Sequence, residues 1–140
     1  MSAASRPREA FEAIRRVLRP HGTLVINTFA SLERGEDYFA ASLSKTLASV
    51  FPSVRIHNAG GGNTLFVASL QAQLPVPQPP DVTRVHPSCR GEVERAMTGL
   101  RETDPRHGRV LTDDYNPVEF YDAAHREQTR RWLAQAMREF

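Results

Sequence analysis

The chain reads as an α/β fold, and two observations carry that reading. Apolar residues recur at helical spacing in two segments and in short β-prone runs in three others, in the order helix, strand, helix, strand, turn, strand. A proline run then separates this block from a helix-rich stretch.

The first helix is expected from about Pro7 to Arg19. Proline suits a first turn, where its missing N–H would be unpaired anyway, and Phe11, Ile14 and Leu18 share one face with Ala10 and Val17 beside them. Pro20-His21-Gly22 ends it. Residues Thr23 to Phe29 (TLVINTF) are β-prone without clean alternation, the pattern of a strand buried on both faces of a parallel sheet. After a polar loop through Gly35, a second helix is expected from Asp37 to Phe51. Its apolar stripe is Phe39, Leu43, Leu47 and Val50, and Pro52 stops it. Val54-Arg55-Ile56-His57 alternates as a half-buried strand does. Ala59 to Asn63 is a turn, and Thr64 to Leu70 is the returning strand of a hairpin.

Leu74-Pro75-Val76-Pro77-Gln78-Pro79-Pro80 is an extended, semi-rigid spacer, so residues 71–84 are expected to link an α/β unit, 1–70, to a helical tail, 85–140. The tail holds one helix from about Ser88 to Arg101, with Val93, Met97 and Leu100 on one side. Asp104-Pro105-Arg106-His107-Gly108 breaks the pattern, and Arg109 to Thr112 is short and extended. The last helix, running to Phe140, has the clearest start signal: Asn116 as N-cap, Pro117 at the first helical position and Glu119 three residues after the cap. Tyr121, Ala124, Gln128, Trp132 and Ala136 fall along one face, and Glu127 precedes Arg131 by four residues, a modest ion pair.

Composition narrows the function classes. With 140 residues, 40% of them hydrophobic, the chain can build one modest core. No apolar run approaches the ~18 residues of a membrane span, and the N-terminal segment lacks the apolar stretch of a secretory signal, so a cytoplasmic protein is expected. Cys89 is the sole cysteine; it allows no intrachain disulfide and reads as a buried or half-buried thiol. Of the 18 basic residues all but Lys45 are arginines, yet 16 acids interleave with them and leave a net charge of +2. That pattern fits solvated helix faces rather than a nucleic-acid-binding stripe.

Few residues stand out as chemistry. Gly60-Gly61-Gly62 is followed by a strand, whereas a phosphate-binding glycine loop opens a helix; a hairpin turn is expected. His21, His57, His86, His107 and His125 show no metal-ligand spacing, and no cofactor or metal site is assigned. The densest polar cluster is Asp113-Asp114-Tyr115-Asn116. Its carboxylates beside a tyrosine can grip a cationic amine through charge-assisted hydrogen bonds, and the same residue types serve as turn and cap residues at a helix N-terminus.

Several segments together resemble one family. FEAIRRVLRPHGTLVINTFA is similar to the helix and fifth strand of the class I S-adenosylmethionine-dependent methyltransferase fold, with His21 in place of the first glycine of an L-x-P-G-G turn. LSKTLASVFP, VRIH and GNTLFVAS are similar to the end of spermidine synthase-like proteins, and LTDDYNPVEFY resembles their LTDD-x-x-P tail motif. The resemblance covers most of residues 7–70 and 109–122. It implies the C-terminal half of a Rossmann-like methyltransferase sheet, with the strand at Thr23 to Phe29 exposing the edge that a fourth strand would pair.

The parent activity so implied is aminopropyl transfer from decarboxylated S-adenosylmethionine to a diamine such as putrescine, or a related methyl transfer from S-adenosylmethionine. The family's nucleoside-binding glycine loop, its ribose-binding acid and its catalytic aspartate all precede the segment that Pro7 matches. No catalytic or cofactor-binding residue is therefore carried over, and the chain is expected to be inactive alone. Asp113, Asp114 and Tyr115 are the candidate substrate-binding residues. A missing N-terminal half, or a second copy in a homo-oligomer, is the expected partner; a non-catalytic module that completes its sheet with a partner strand is the alternative.

Overall fold

The structure is a computed structural model that describes residues 7–60, 63–74, 81–104, 106–112, 114 and 117–138. Along the chain it forms α1 (Pro7–Val17), β1 (Thr23–Phe29), α2 (Tyr38–Ala48), β2 (Ser53–Gly60), β3 (Asn63–Ser69), a 3-10 turn (Val82–Arg84), α3 (Pro87–Thr98), β4 (Leu100–Arg101) and α4 (Val118–Ala136). Mixed α/β architecture is thus present, and its sheet has the order β1-β3-β2-β4 with every neighbouring pair antiparallel. Because β1 and β2 both oppose β3, they run parallel to each other, joined by the α2 crossover, with the hairpin's return strand inserted between them.

Register settles which side chains share a face. Leu24, Ala68 and Val54 lie in one row, and Ile26, Phe66 and Ile56 in the next. On this face α2 deposits Leu43 and Leu47, and Phe11 and Leu18 of the α1 segment pack at its margin. Phe66 and Leu47 are completely buried, each such side chain contributing about 2 kcal/mol by removal from water. The predicted stripe of α2 is therefore a face that packs, as are Phe11 and Leu18 of the α1 stripe, whereas Ala10 and Val17 beside it are exposed. α2 is shorter than expected, since after Ala48 the chain tightens into a turn in which the Val50 N–H donates to the Leu47 carbonyl (3.0 Å) before Pro52.

β1 departs from its expectation. Rather than being buried on both faces within a parallel sheet, it is an edge strand paired antiparallel to β3, and its residues alternate exposed and half-buried. Val25 is 57% and Phe29 50% exposed. The cause is layering: the α1 segment and α2 cover the face carrying Leu24 and Ile26, while on the other face Val25 is exposed and Phe29 lines a cleft against α4.

The hairpin forms as expected, with a bulge between Asn58 and Gly60; Gly61 and Gly62 lie outside the described residues, as do 75–80 of the proline spacer. In the tail, the His86 Nδ1 accepts the Ser88 N–H (3.4 Å) and caps α3. Past Gly99 the chain adds the two-residue β4 to the outer edge of β2, an element too short to leave a periodic signature. α3 ends at Thr98 rather than Arg101, so Leu100 of the expected apolar side falls in β4; Val93 is half-buried, and Met97 and Leu100 are exposed.

α4 begins at Val118 with Pro117 at its cap position, one residue later than expected; Asn116 and Phe140 lie outside the described residues, as do the side chains of Glu119, Tyr121, Ala124 and His125. Of its expected face, Gln128 and Trp132 are exposed and Ala136 is half-buried, so that stripe is not a core face. The Glu127 to Arg131 ion pair does form (2.8 Å). Among the described residues no helix is long and apolar enough to cross a membrane.

Candidate functional site

The tail motif reaches the body through a polar seam along α2. Ser42 and Thr46 are one turn apart and completely or almost completely buried. Each hydroxyl donates to the carbonyl four residues back, Ser42 Oγ to Tyr38 (2.8 Å) and Thr46 Oγ1 to Ser42 (2.7 Å). That leaves each oxygen a lone pair directed outward, and the tail uses both: the Arg109 N–H donates to Ser42 Oγ (3.1 Å) and the Leu111 N–H to Thr46 Oγ1 (2.8 Å). Lys45 Nζ donates to the Gly108 carbonyl (3.0 Å).

At the head of the seam stands Asp37, immediately before α2 and only 3% exposed. Its carboxylate does not cap its own helix. It accepts the Asp104 N–H (2.9 Å) and lies 2.7 Å from His107 Nδ1. Burial pushes the Asp37 carboxyl up, but the Asp104 N–H and the hydrogen bond and charge of His107 outweigh it and hold the group below its ordinary 3.8. Beside it the exposed Arg106 guanidinium grips Asp104 through Nε (3.0 Å) and Nη2 (2.7 Å), which holds that half-buried carboxyl far below the usual range.

Gly108 makes the close approach possible. Its φ of 71° is left-handed, and a Cβ there would collide with the backbone of Ala41 and Ser42. Leu111 closes the seam at 1% exposure. Residues 104 and 106–111 thus belong to a strap that runs in the direction of α2. Of the candidate amine-binding residues that follow, Asp114 is exposed, while Asp113 and Tyr115 lie outside the described residues.

A second feature lies at the carboxyl end of β1. Asn27, Thr28 and Phe29 face Arg126, Thr129, Arg130 and Leu133 of α4 across a cleft of about 480 Å³. Arg130 is bidentate to Glu127 (2.8 and 3.0 Å), and Arg131 shares that carboxylate. These hydrogen bonds, from Arg130 first and then Arg131, pull Glu127 down to about 2.

The histidines are dispersed among separate contacts: His21 Nδ1 lies 2.8 Å from Gln71 Nε2, His57 Nδ1 lies 3.2 Å from the Ala96 carbonyl, and His107 meets Asp37. Cys89 is exposed rather than buried, because α3 turns that side to solvent; its Sγ lies 3.6 Å from Ser88 Oγ, which in turn meets His86 Nδ1 (2.7 Å). That His86 stands close to Cys89 is a neighbour the sequence reading passed over.

Sequence reasoning also missed Asp37, Ser42, Thr46 and His107. A signal was available: two hydroxyls four residues apart on a helix otherwise apolar on that side mark a buried polar seam that must meet backbone donors. Compared with protein-family models, curated proteins and solved structures, the chain matches none.

Proposed function

We propose that this chain is the C-terminal portion of a spermidine synthase-like protein with a Rossmann-like methyltransferase sheet. Its complete form would transfer an aminopropyl group from decarboxylated S-adenosylmethionine to a diamine such as putrescine, in the cytoplasm. The observation that carries the reading is the outer edge of β1: no strand pairs it among the described residues, and it is where that fold's fourth strand would add. Support also comes from the parallel relation of β1 and β2 across the α2 crossover and from the close seating of the strap that leads into LTDDYNP. In this reading Asp113, Asp114 and Tyr115 hold the amine, and the nucleoside site belongs to the preceding half. Transfer proceeds by attack of a deprotonated amine nitrogen on the aminopropyl carbon next to the sulfonium: the C–N bond forms as the C–S bond breaks, the sulfur leaves as a neutral thioether nucleoside and the product ammonium releases its proton to solvent, with positioning as the main contribution of the protein.

The test joins the chain to the segment encoded upstream of Met1. The joined protein is expected to contain a glycine-rich GxGxG segment and to turn over decarboxylated S-adenosylmethionine and putrescine, with the isolated chain inactive. Asp114→Asn should then weaken diamine binding and leave nucleoside binding intact. Robust turnover by the isolated chain, or a joined protein that binds no nucleoside, overturns the proposal.

A second reading is favoured by the exposed Val25 and Phe29 on the same strand: a non-catalytic module that completes its sheet with a second copy or a partner strand. Size-exclusion chromatography with light scattering separates the two, since a monomer at all concentrations removes a homodimer.

A further inference from the structure

We propose that His107, held by the buried Asp37, is a nucleophilic histidine whose Nε2 takes an acyl group from small activated esters and passes it to water. The inference is independent of the aminopropyltransferase reading, because it uses no residue of LTDDYNP and no nucleoside.

Three observations carry it. The first is where the ring hydrogen sits. Asp37 is 3% exposed and its two oxygens are divided: Oδ2 accepts the Asp104 N–H (2.9 Å), and Oδ1 lies 2.7 Å from His107 Nδ1. Asp37 titrates below its ordinary value, so at neutral pH it is a carboxylate and can only accept. Nδ1 therefore carries the hydrogen, and in the neutral imidazole the lone pair stands on Nε2. The second is access: 37% of the His107 side chain is exposed, and Nε2 has no hydrogen-bond partner among the described residues.

The third is contrast within the chain. Among the described side chains only His107 has a carboxylate at its ring. His86 Nδ1 accepts the Ser88 N–H, which puts the hydrogen of the neutral ring on Nε2. His21 Nδ1 faces the Gln71 amide, and the half-buried His57 meets the Ala96 carbonyl.

The step balances without a cofactor. The Nε2 lone pair attacks the ester carbonyl carbon; the N–C bond forms, the C–O bond to the leaving group breaks, and the alkoxide or phenolate departs. The acyl-imidazolium keeps its Nδ1 hydrogen against Asp37, whose charge stabilises the positive ring. Water then adds to the acyl carbon, the N–C bond breaks, and the acid leaves with its proton lost to solvent, restoring the neutral ring. A ring this open to solvent selects by leaving group more than by shape, which is why the substrate class is small activated esters.

Asp37→Asn separates this chemistry from the seating of the strap. The amide matches the carboxylate in size, and the Asp104 N–H claims its one carbonyl oxygen. Its –NH2 then faces His107 Nδ1, which must accept, so the ring hydrogen moves to Nε2 while both contacts to the strap remain.

The test treats the whole chain with p-nitrophenyl acetate, following p-nitrophenol release, and with diethylpyrocarbonate, read by peptide mass spectrometry. Diethylpyrocarbonate is expected to modify His107 several times faster than His21 and His86. His107→Gln should abolish ester turnover, and Asp37→Asn should lower turnover and His107 modification about tenfold, with amide protection at Leu111 unchanged. Ring 15N NMR should place the His107 hydrogen on Nδ1 in the wild type and on Nε2 in Asp37→Asn. Thr46→Val, which loosens the foot of the strap without touching the pair, should leave His107 reactivity as it was. His107 modified no faster than His21 and His86, undiminished reactivity in Asp37→Asn, or an equal loss in Thr46→Val overturns the proposal.

Discussion

The seam along α2 and the outer strand β1 invert the usual distribution of polarity. Along α2 the molecule buries an aspartate, a serine and a threonine, and pairs each with the strap. On β1 it leaves Val25 and Phe29 largely in water. Burying a polar group is tolerated only when its hydrogen bonds are replaced, which requires a partner of fixed geometry. Exposing apolar area demands no such partner. The difference teaches that the tail strap is integral to the body, whereas no strand among the described residues covers the outer edge of β1.

The largest effect expected is at the foot of the seam. Leu111→Ala should cost about 3 kcal/mol in chemical denaturation, since the side chain is fully enclosed; a loss below 1 kcal/mol would mean that the strap is only laid on the surface. Gly108→Ala follows at about 2 kcal/mol, combining a left-handed φ with the absence of room for a Cβ.

Next in size is Thr46→Val. It keeps the volume but strands the Leu111 N–H, which should cost 1 to 2 kcal/mol, roughly the desolvation of one buried donor. Amide exchange read by NMR should quicken at Leu111 before it does at Phe66.

The seam also sets an acid limb. Asp37 titrates lower when folded than unfolded, so its stabilisation is complete above the ordinary 3.8 and is lost as pH falls from there through the lowered folded value. In Asp37→Asn that part of the stability profile should flatten. An unchanged acid limb would place the origin of acid sensitivity elsewhere.

The smallest effect is predicted for the other side of the comparison. Val25→Lys on exposed β1 should shift monomer stability by no more than about 0.5 kcal/mol. It should, however, suppress any concentration-dependent association through that edge, because a lysine on an edge strand blocks strand addition. A larger loss of monomer stability would show that β1 is better covered than its exposure indicates.

Much of this fold was legible before any coordinates. Phe11 and Leu18 of α1 and Leu43, Leu47 and Val50 of the α2 stripe marked packing helix faces, and TLVINTF and NTLFVAS marked strands, because local periodicity reports which side of an element meets the core. The candidate site was less legible. LTDDYNP drew notice for its carboxylates, yet the residues that seat the tail motif, Asp37, Ser42, Thr46 and Gly108, lie about 65 to 70 positions away or look like ordinary loop residues.

What the sequence by itself determined was the kind and order of the main elements, since hydrophobic spacing, prolines and glycines act within a few residues of one another. Only the tertiary structure decided that β3 inserts between β1 and β2, that β1 pairs antiparallel with one face left exposed, and that the strap's backbone donors meet the hydroxyls of α2. The physical reason is common to all three: pairing an edge or a buried lone pair depends on which partner arrives in space, and a chain's local pattern carries no record of that partner.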